Sequence, residues 1–188
     1  MPRAGLTSGA VVDAALALID EEGPGALTLA AVAARTGVAA PSLYKHIRGL
    51  PELRKLVGLR VMDDMTERLG AAAMGRSRDE ATAALMRAWR SYVVDFPHRY
   101  AVFPDNPLID PELVDTGTRL MEVILAVLRG YGLEGAEAIH ATRCLRAAVH
   151  GFASVEAAGG FGLGENLDTS YEMLIAMVVS GLPRPPTP

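Results

Sequence analysis

The amino-acid sequence predicts an all-α protein of about nine helices. Half of the residues are hydrophobic, and no stretch shows the sustained polar–apolar alternation that is typical of a strand. Glycine and proline divide the chain into segments whose apolar residues recur at helical spacing. The pattern favours a first domain of three short helices over residues 1–49 and a second helical domain over residues 50–182.

Three short helices are predicted in the first domain. The first begins at Thr7 or Ser8, either of which can cap it, and ends at a Gly-Pro-Gly turn. Thr28 caps the second helix, and the third runs from about Ala39 to His46. A helix as short as the third needs neighbours to hold it in place, because helix nucleation is costly.

The second domain contains the longer segments. Asp110, which is followed by proline, and Asp168 are predicted to cap two of its helices. A proline-rich loop over 97–111, with one helical turn around Arg99–Phe103, interrupts the domain, and a proline-rich tail over 183–188 is expected to be disordered. The predicted helices span about 49–73, 78–96, 110–129, 135–158 and 168–180.

Composition argues against several classes of protein. No apolar run approaches the ~20 residues that are needed to span a membrane, and the N-terminus lacks the pattern of a signal peptide. Cys144 is the single cysteine, so no internal disulfide framework exists. A cytoplasmic location without a membrane partner is therefore expected.

The net charge of −4 hides an uneven distribution. Residues 1–60 carry seven basic and five acidic side chains, and the remainder of the chain carries the excess of acid. Between residues 35 and 60 the balance is six basic to one acidic. A local positive face on an acidic body suffices for contact with phosphates.

Residues 28–47 are predicted to be two short helices that meet at Gly37, as in a helix-turn-helix. The run Leu29-x-x-Val32-Ala33-x-x-x-Gly37-Val38-x-x-x-x-Leu43-Tyr44-x-His46-Ile47 resembles the DNA-binding domain of the TetR family over about residues 8–56. The resemblance implies a homodimeric transcriptional repressor, without cofactor or enzymatic activity, that binds a near-palindromic operator in double-stranded DNA. A helix-turn-helix used only for packing is the alternative.

The TetR resemblance also assigns roles to individual side chains. It implies contacts with base edges for Ala40, Pro41, Ser42 and Lys45, and contacts with phosphates for Thr28, Tyr44 and His46. Leu50 stands where the family usually has a lysine, a loss that Arg48 can compensate, and the basic arm before the first helix is reduced to Arg3. For Tyr44, a ring half-buried against the first helix is the alternative.

A regulator needs a signal, and the second domain has the composition of a pocket for a small apolar or aromatic effector. For each methionine or aromatic residue, an ordinary place in the core is the alternative. The candidate effector-binding residues are Met62, Met65, Trp89, Tyr92, Phe96, Tyr100, Phe103, Met121, Arg143, His150 and Phe161. Two stretches, Leu145–Phe152 with its His-Gly pair and Gly159–Gly162, resemble one C-terminal ligand-binding subgroup of the family.

By the same resemblance, the last two long helices form the dimer interface. Their predicted apolar faces are Ala147, Ala148, Phe152 and Val155 on one helix, and Leu174, Ile175, Val178 and Val179 on the other. A glycine at mid-helix costs ~1 kcal/mol relative to alanine, so Gly151 indicates a close neighbour, which is another helix, the dimer mate or a ligand.

Two other functional classes stay open. One is a DNA-binding regulator that responds to a protein partner, and the other is a small all-α enzyme with a pocket near His140 and His150. Glu137, His140 and Cys144 share a helix face but offer at most a pair of metal ligands, without a third at recognisable spacing, so no metal site is expected.

Overall fold

The computed structural model describes residues 6–183, and over that range the regular secondary structure is helical, with nine α-helices and no strand. The predicted all-α fold is confirmed. No helix in this range is long and apolar enough to cross a bilayer. Arg3 and residues 184–188 of the predicted tail lie outside the described residues. The helices are α1 (Ser8–Glu22), α2 (Leu29–Thr36), α3 (Ala40–Leu43), α4 (Leu50–Ala73), α5 (Arg78–Asp95), α6 (Pro97–Tyr100), α7 (Val114–Arg129), α8 (Gly135–Ala157) and α9 (Leu167–Gly181).

Local signals account for the ends of α1 and α2. The Thr7 hydroxyl oxygen accepts a hydrogen bond from the Ala10 N–H at 3.1 Å, and the Thr28 oxygen accepts one from the Ala31 N–H at 3.1 Å. Gly37 ends α2 in the left-handed region, at φ 68° and ψ 27°, where other residues would be strained. The predicted caps at Thr7 and Thr28 are confirmed.

The predicted caps of α7 and α9 are wrong, because both carboxylates have other partners. Asp110 accepts a hydrogen bond from the Glu112 N–H at 2.9 Å within a turn, and α7 begins only at Val114. Asp168 lies inside the first turn of α9, and Asn166 caps that helix through its side-chain oxygen. Asp110 therefore closes a turn ahead of α7, and Asn166 takes the capping role at α9.

Two short elements also differ from the prediction. The helix α3 ends at Leu43 rather than at His46, and the three residues that follow form a turn in which the His46 N–H donates to the Leu43 carbonyl at 2.8 Å. The helical turn in the proline-rich loop begins at Pro97 rather than near Arg99.

The chain divides into two compact units. The first ends at Met62 and takes in Phe96–Val114, and the second comprises Asp63–Asp95 and continues from Asp115. The predicted domain boundary between residues 49 and 50 stays a prediction.

In the first unit, α1, α2 and α3 share a core with the first half of α4. Its most deeply buried residues are Val11, Ala15, Ile19, Val32, Leu43, Leu53 and Val57. Arg99 of α6 donates to both carboxylate oxygens of Asp20 in α1, at 2.7 and 2.6 Å. A Cβ on Gly58 of α4 would lie 2.9 Å from Cγ of Pro104, so the loop after α6 depends on a glycine there.

In the second unit, α5 packs against α8, and α9 packs against both. Its most deeply buried residues include Met65, Leu69, Leu85, Met86, Leu128, Leu145, Val149 and Tyr171. On α8 the buried positions are Ala138, Thr142, Leu145, Val149 and Ala153. Their helical spacing leaves the opposite face of α8 to solvent in the isolated chain.

Candidate nucleic-acid interface and effector core

The turn between α2 and α3 is built by local hydrogen bonds. The Gly37 N–H donates to the carbonyls of Ala33 and Ala34, and the Val38 N–H donates to the Ala33 carbonyl at 3.1 Å. This is the arrangement that satisfies the last carbonyls of a helix. Leu43 is fully buried and therefore anchors α3 to the core.

Most of the predicted DNA-contacting side chains are accessible. Tyr44 is 60 % exposed, and the alternative of a ring half-buried against α1 stays open. Thr28, Pro41, Lys45 and Arg48 are exposed, and Ala40, Ser42 and His46 are partly exposed. These contacts with DNA stay predictions, but the folded chain leaves all eight residues at least partly accessible to a duplex.

The turn after α3 is tied to the start of α1. The Ser8 hydroxyl donates to the His46 carbonyl at 2.9 Å. This contact was not predicted from the sequence, because Ser8 offers only the signal of a helix cap. It positions the turn that carries Tyr44 and Lys45.

Ion pairs within the first unit neutralise part of the charge that residues 35–60 were expected to present. The paired residues are Arg35 with Glu21, Lys55 with Asp110 and Glu112, and Arg60 with Asp13. The hydrogen bond from Arg35 lowers the pKa of Glu21 and raises that of Arg35. Arg48 also pairs with Glu52, so four of the six cations in that stretch are engaged by acids of the protein itself.

Three cations of this stretch are open to solvent, and one of them forms an exposed ion pair. The Arg48 side chain is 90 % exposed, with Nε 3.4 Å from Glu52. Lys45 and Arg54 are exposed, and neither forms an ion pair within the part of the chain that the structure describes. Arg54 was not among the DNA-contacting residues predicted from the sequence. Its position, one helical turn after Leu50, is the sequence signal that could have pointed to it.

The candidate effector residues fall into three groups by burial. Met62, Met65, Trp89 and Tyr92 are buried, and Phe96, Tyr100, Phe103 and Met121 are partly buried. Arg143, His150 and Phe161 are exposed in the isolated chain, and their role in effector binding stays a prediction. The reason for the exposure is register: Arg143 and His150 lie off the buried face of α8. Met62, Phe96, Tyr100 and Phe103 belong to the first unit and the other seven to the second.

Hydrogen bonding in the core of the second unit is uneven. The Tyr171 hydroxyl donates to the Met86 carbonyl at 2.7 Å, and the Thr82 and Tyr131 hydroxyls lie 3.2 Å apart. Burial raises the pKa of Tyr171. By contrast, Nε1 of Trp89 and Oγ1 of Thr142 are buried without a hydrogen-bond partner among the described residues.

A charged cluster joins three helices at the edge of this core. Arg90 of α5 donates two hydrogen bonds of 2.6 Å to Glu156 of α8 and one of 2.8 Å to Asp168 of α9. Its guanidinium also lies 4.8 Å from the centre of the Tyr171 ring. The hydrogen bond with Glu156 is the main cause that raises the pKa of Arg90. The cluster fixes α8 and α9 relative to α5.

The outer faces of α8 and α9 carry exposed apolar side chains. Val155 is 41 % exposed, Met173 is 57 % exposed and Met177 is 61 % exposed. Nothing lies within 4 Å of a Cβ built on Gly151. The predicted face of α9 needs one correction: Ile175 is only 4 % exposed and belongs to the core.

Comparison with known proteins covers nearly the whole chain. The family described as bacterial regulatory proteins, tetR family, matches residues 11–48, and the family described as tetracyclin repressor-like, C-terminal domain, matches residues 82–178. The His-Gly subgroup inferred for the C-terminal part stays a prediction.

Individual relatives are similar to this chain over nearly its whole length. The chain is 35 % identical over 183 residues to the uncharacterized HTH-type transcriptional regulator Rv0681 of Mycobacterium tuberculosis, covering 95 % of this chain and 83 % of that protein. It is 31 % identical over 187 residues to the regulator YobS of Bacillus subtilis, covering 96 % and 95 %. A single-residue variant of TetR from Acinetobacter baumannii, solved in complex with minocycline, has the same fold, with a TM-score of 0.70, 19 % identity, and 94 % and 96 % of the two chains covered.

Proposed function

The chain belongs to the TetR family, whose members are DNA-binding transcriptional regulators rather than enzymes, and on that premise we propose that it is an effector-responsive repressor. In this proposal a homodimer binds a near-palindromic operator through two copies of the α2–α3 segment. A small apolar or aromatic molecule in the C-terminal part then releases the operator.

The exposed side chains of the turn after α3 carry the proposal. Lys45 has the donors to reach guanine acceptors in the major groove, and the Tyr44 hydroxyl suits a phosphate oxygen. Ala40 and Pro41 offer only apolar contact, such as with a thymine methyl group. Base reading therefore depends mainly on Lys45 and Ser42.

Phosphate contact depends on the cations that stay exposed on the folded chain. Arg48 and Arg54 flank the start of α4, where the family lysine is replaced by Leu50. Both side chains are exposed. We assign them the backbone contacts that position the helix-turn-helix without specifying sequence.

Dimerisation through α8 and α9 explains two features of the isolated chain. Gly151 lies in the middle of a helix with open space beside it, although glycine there costs ~1 kcal/mol relative to alanine. A second copy of α8 that approaches closely gives the glycine a role. The same contact covers Val155, Met173 and Met177, which are otherwise exposed apolar side chains.

The release step follows from a population shift. In one conformation of the dimer, the two α3 helices no longer match successive major grooves. An effector that binds this conformation better shifts the equilibrium towards it. Minocycline bound to the TetR variant from Acinetobacter baumannii is a precedent for a small-molecule complex in this fold.

The proposal is tested by the affinity of the purified chain for the DNA upstream of its own gene, measured against salt concentration. Specific binding should weaken as salt rises, because counterions are released from phosphates. Lys45→Ala should lower the specific affinity by about tenfold or more, since a good base contact is worth ~1–3 kcal/mol. Arg129→Ala, in an exposed pair with Glu122 in the second unit, is the control and should change nothing. No binding, or a flat salt response, would overturn the proposal.

A further inference from the structure

Lys55 of α4 is held by two carboxylates from a turn that is distant in sequence. Its ammonium nitrogen lies 3.6 Å from a carboxylate oxygen of Asp110 and also pairs with the carboxylate of Glu112. The Lys55 side chain is 32 % exposed, so it lies at the surface without being fully open to solvent. We call the two carboxylates of Asp110 and Glu112 the acidic clamp, and their combined charge exceeds that of the lysine.

Local structure holds the acidic clamp in one conformation. The Asp110 side chain accepts a hydrogen bond from the Glu112 N–H at 2.9 Å, and the Asp110 carbonyl accepts one from the Val114 N–H at 2.9 Å. Pro111, between the two acids, restricts the backbone, and the side chain of Leu113 is only 6 % exposed. The turn is therefore closed and anchored, and its carboxylates need little reordering to hold a cation.

Lys55 shares a cavity with the cation to which we assign a phosphate contact, Arg48. The cavity has a volume of about 330 Å³, and its lining includes Arg48, Pro51, Glu52, Lys55 and Glu112. A lysine side chain is long and flexible, and the cavity leaves it room to turn away from Glu112. An unclamped Lys55 can thus reach towards the side of α4 on which Arg48 meets the duplex.

The two cations of this cavity differ in how firmly the protein holds them. Arg48 pairs with a single acid, Glu52, and its side chain is 90 % exposed. An exposed pair of this kind is worth less than ~1 kcal/mol, so a phosphate can replace the carboxylate. Lys55 is much less exposed and has two acids beside it, and both of them repel a phosphate that approaches the ammonium.

We propose that the acidic clamp withholds Lys55 from DNA phosphates, so that α4 binds a duplex with fewer cations than its sequence supplies. The contact is autoinhibitory: it limits the affinity of the helix-turn-helix for DNA. Phosphate contacts carry no sequence information, so the clamp lowers affinity for the random DNA that competes with an operator. The inference rests on the proposed use of the start of α4 for phosphate contact.

Neutralising the acidic clamp tests the proposal on DNA. The double variant Asp110→Asn with Glu112→Gln keeps the shape of both side chains and removes both charges, and asparagine can still accept the hydrogen bond of the turn. The probe is a random-sequence duplex. At about 50 mM salt the variant should bind about tenfold more tightly or better, and its slope of log K against log salt should steepen by about 1.8, for two added phosphate contacts per dimer.

Lys55→Met identifies the lysine as the source of the gain. In the original chain this substitution should leave the salt slope unchanged, because a clamped lysine contacts no phosphate. Added to the clamp variant, it should abolish the steeper slope, whereas a gain caused only by less negative charge near the duplex would persist. A shallower slope for Lys55→Met alone, or a gain that survives Lys55→Met, would overturn the proposal.

Acetylation provides a readout that needs no DNA, because Lys45 and Lys55 are the two lysines of the chain. The reagent is N-acetoxysuccinimide, and mass spectrometry of chymotryptic peptides gives the rate at each lysine. In the free full-length protein Lys55 should react several-fold more slowly than the exposed Lys45, and the clamp variant should speed the reaction at Lys55 only. Glu112→Gln alone, at a side chain that is 65 % exposed, should give part of that increase if the double variant folds poorly. Equal rates at the two lysines of the original chain would contradict the clamp.

The two readouts separate this inference from the proposed function. If the original chain bound an operator no better than random DNA, or bound no DNA, the proposed function would fail. The acetylation rates and the salt slope of the clamp variant would still decide whether the clamp exists and what it withholds. A clamp variant that bound no DNA either would overturn the inference as well.

Discussion

The pairing of cations in the first unit leads to a prediction about which of them contact DNA. Arg54 and Arg60 both lie on α4, and sequence alone does not distinguish them. Arg60 is held by Asp13 at 2.7 Å, whereas Arg54 is exposed and forms no ion pair within the described residues. Arg54→Ala should therefore weaken DNA binding, and Arg60→Ala should not.

The size of the effect follows from the counterions released at each phosphate. A dimer contributes two copies of Arg54, so the variant loses two phosphate contacts, and the slope of log K against log salt should fall by about 1.8. When the salt concentration rises fourfold, the fold-loss of affinity should be about 12 times larger for the original chain than for the variant. Folding stability should stay within ~0.5 kcal/mol, because Arg54 has no partner to lose.

Fluorescence anisotropy of a labelled operator, titrated at four salt concentrations between about 50 and 200 mM, measures both slopes. Arg60→Ala is the matched control, since it removes the same charge from the same helix and breaks an exposed ion pair worth less than ~1 kcal/mol. Equal slopes for the two variants would refute the argument that ion pairing within the protein decides which cations reach the phosphates.

Three further predictions concern packing. Gly151→Leu should weaken the dimer at least 100-fold in sedimentation velocity, whereas Gly164→Leu, in an open loop position, should not; a stable Gly151→Leu dimer would rule out the α8 contact. Gly58→Ala should lower the free energy of unfolding in urea by up to about 2 kcal/mol, since crowding against the loop after α6 outweighs the gain in helix propensity; equal or greater stability would contradict the close approach. Tyr171→Phe should cost about 1 kcal/mol at pH 7 through the lost hydrogen bond to Met86. Because burial raises the pKa of the Tyr171 phenol above its unfolded value of 10, the original chain should lose stability as the pH rises past 10, and the variant should lose less.

Local rules predicted the elements whose ends are set by neighbouring residues. Thr7, Thr28 and Gly37 act through groups within five positions of themselves, so the sequence alone identifies them. Asp110 and Asp168 failed as predicted caps, because Asp110 closes a turn before α7 begins and Asn166 caps α9. Lys55 and Arg90 also engage the two carboxylates from distant parts of the chain. Sequence spacing does not reveal such contacts.

The same limit applies to the candidate site. The accessibility of Tyr44 and Lys45 follows from the register set by Leu43, whose side chain is fully buried. The net charge of residues 35–60 was misleading, because charge counts ignore pairing across helices such as that of Arg35 with Glu21. Periodicity predicts that α8 has a buried face but not which face is buried, and His150 lies on the exposed side in the isolated chain.

The central claim is that two copies of this chain read a two-fold symmetric DNA site. Selection of bound sequences from random duplex DNA, followed by mass measurement of the complex, tests it most directly. We expect a near-palindromic site whose half-sites are about 34 Å apart or somewhat more, bound by two chains per duplex. An asymmetric site bound by a single chain, or no sequence enrichment at all, would contradict it.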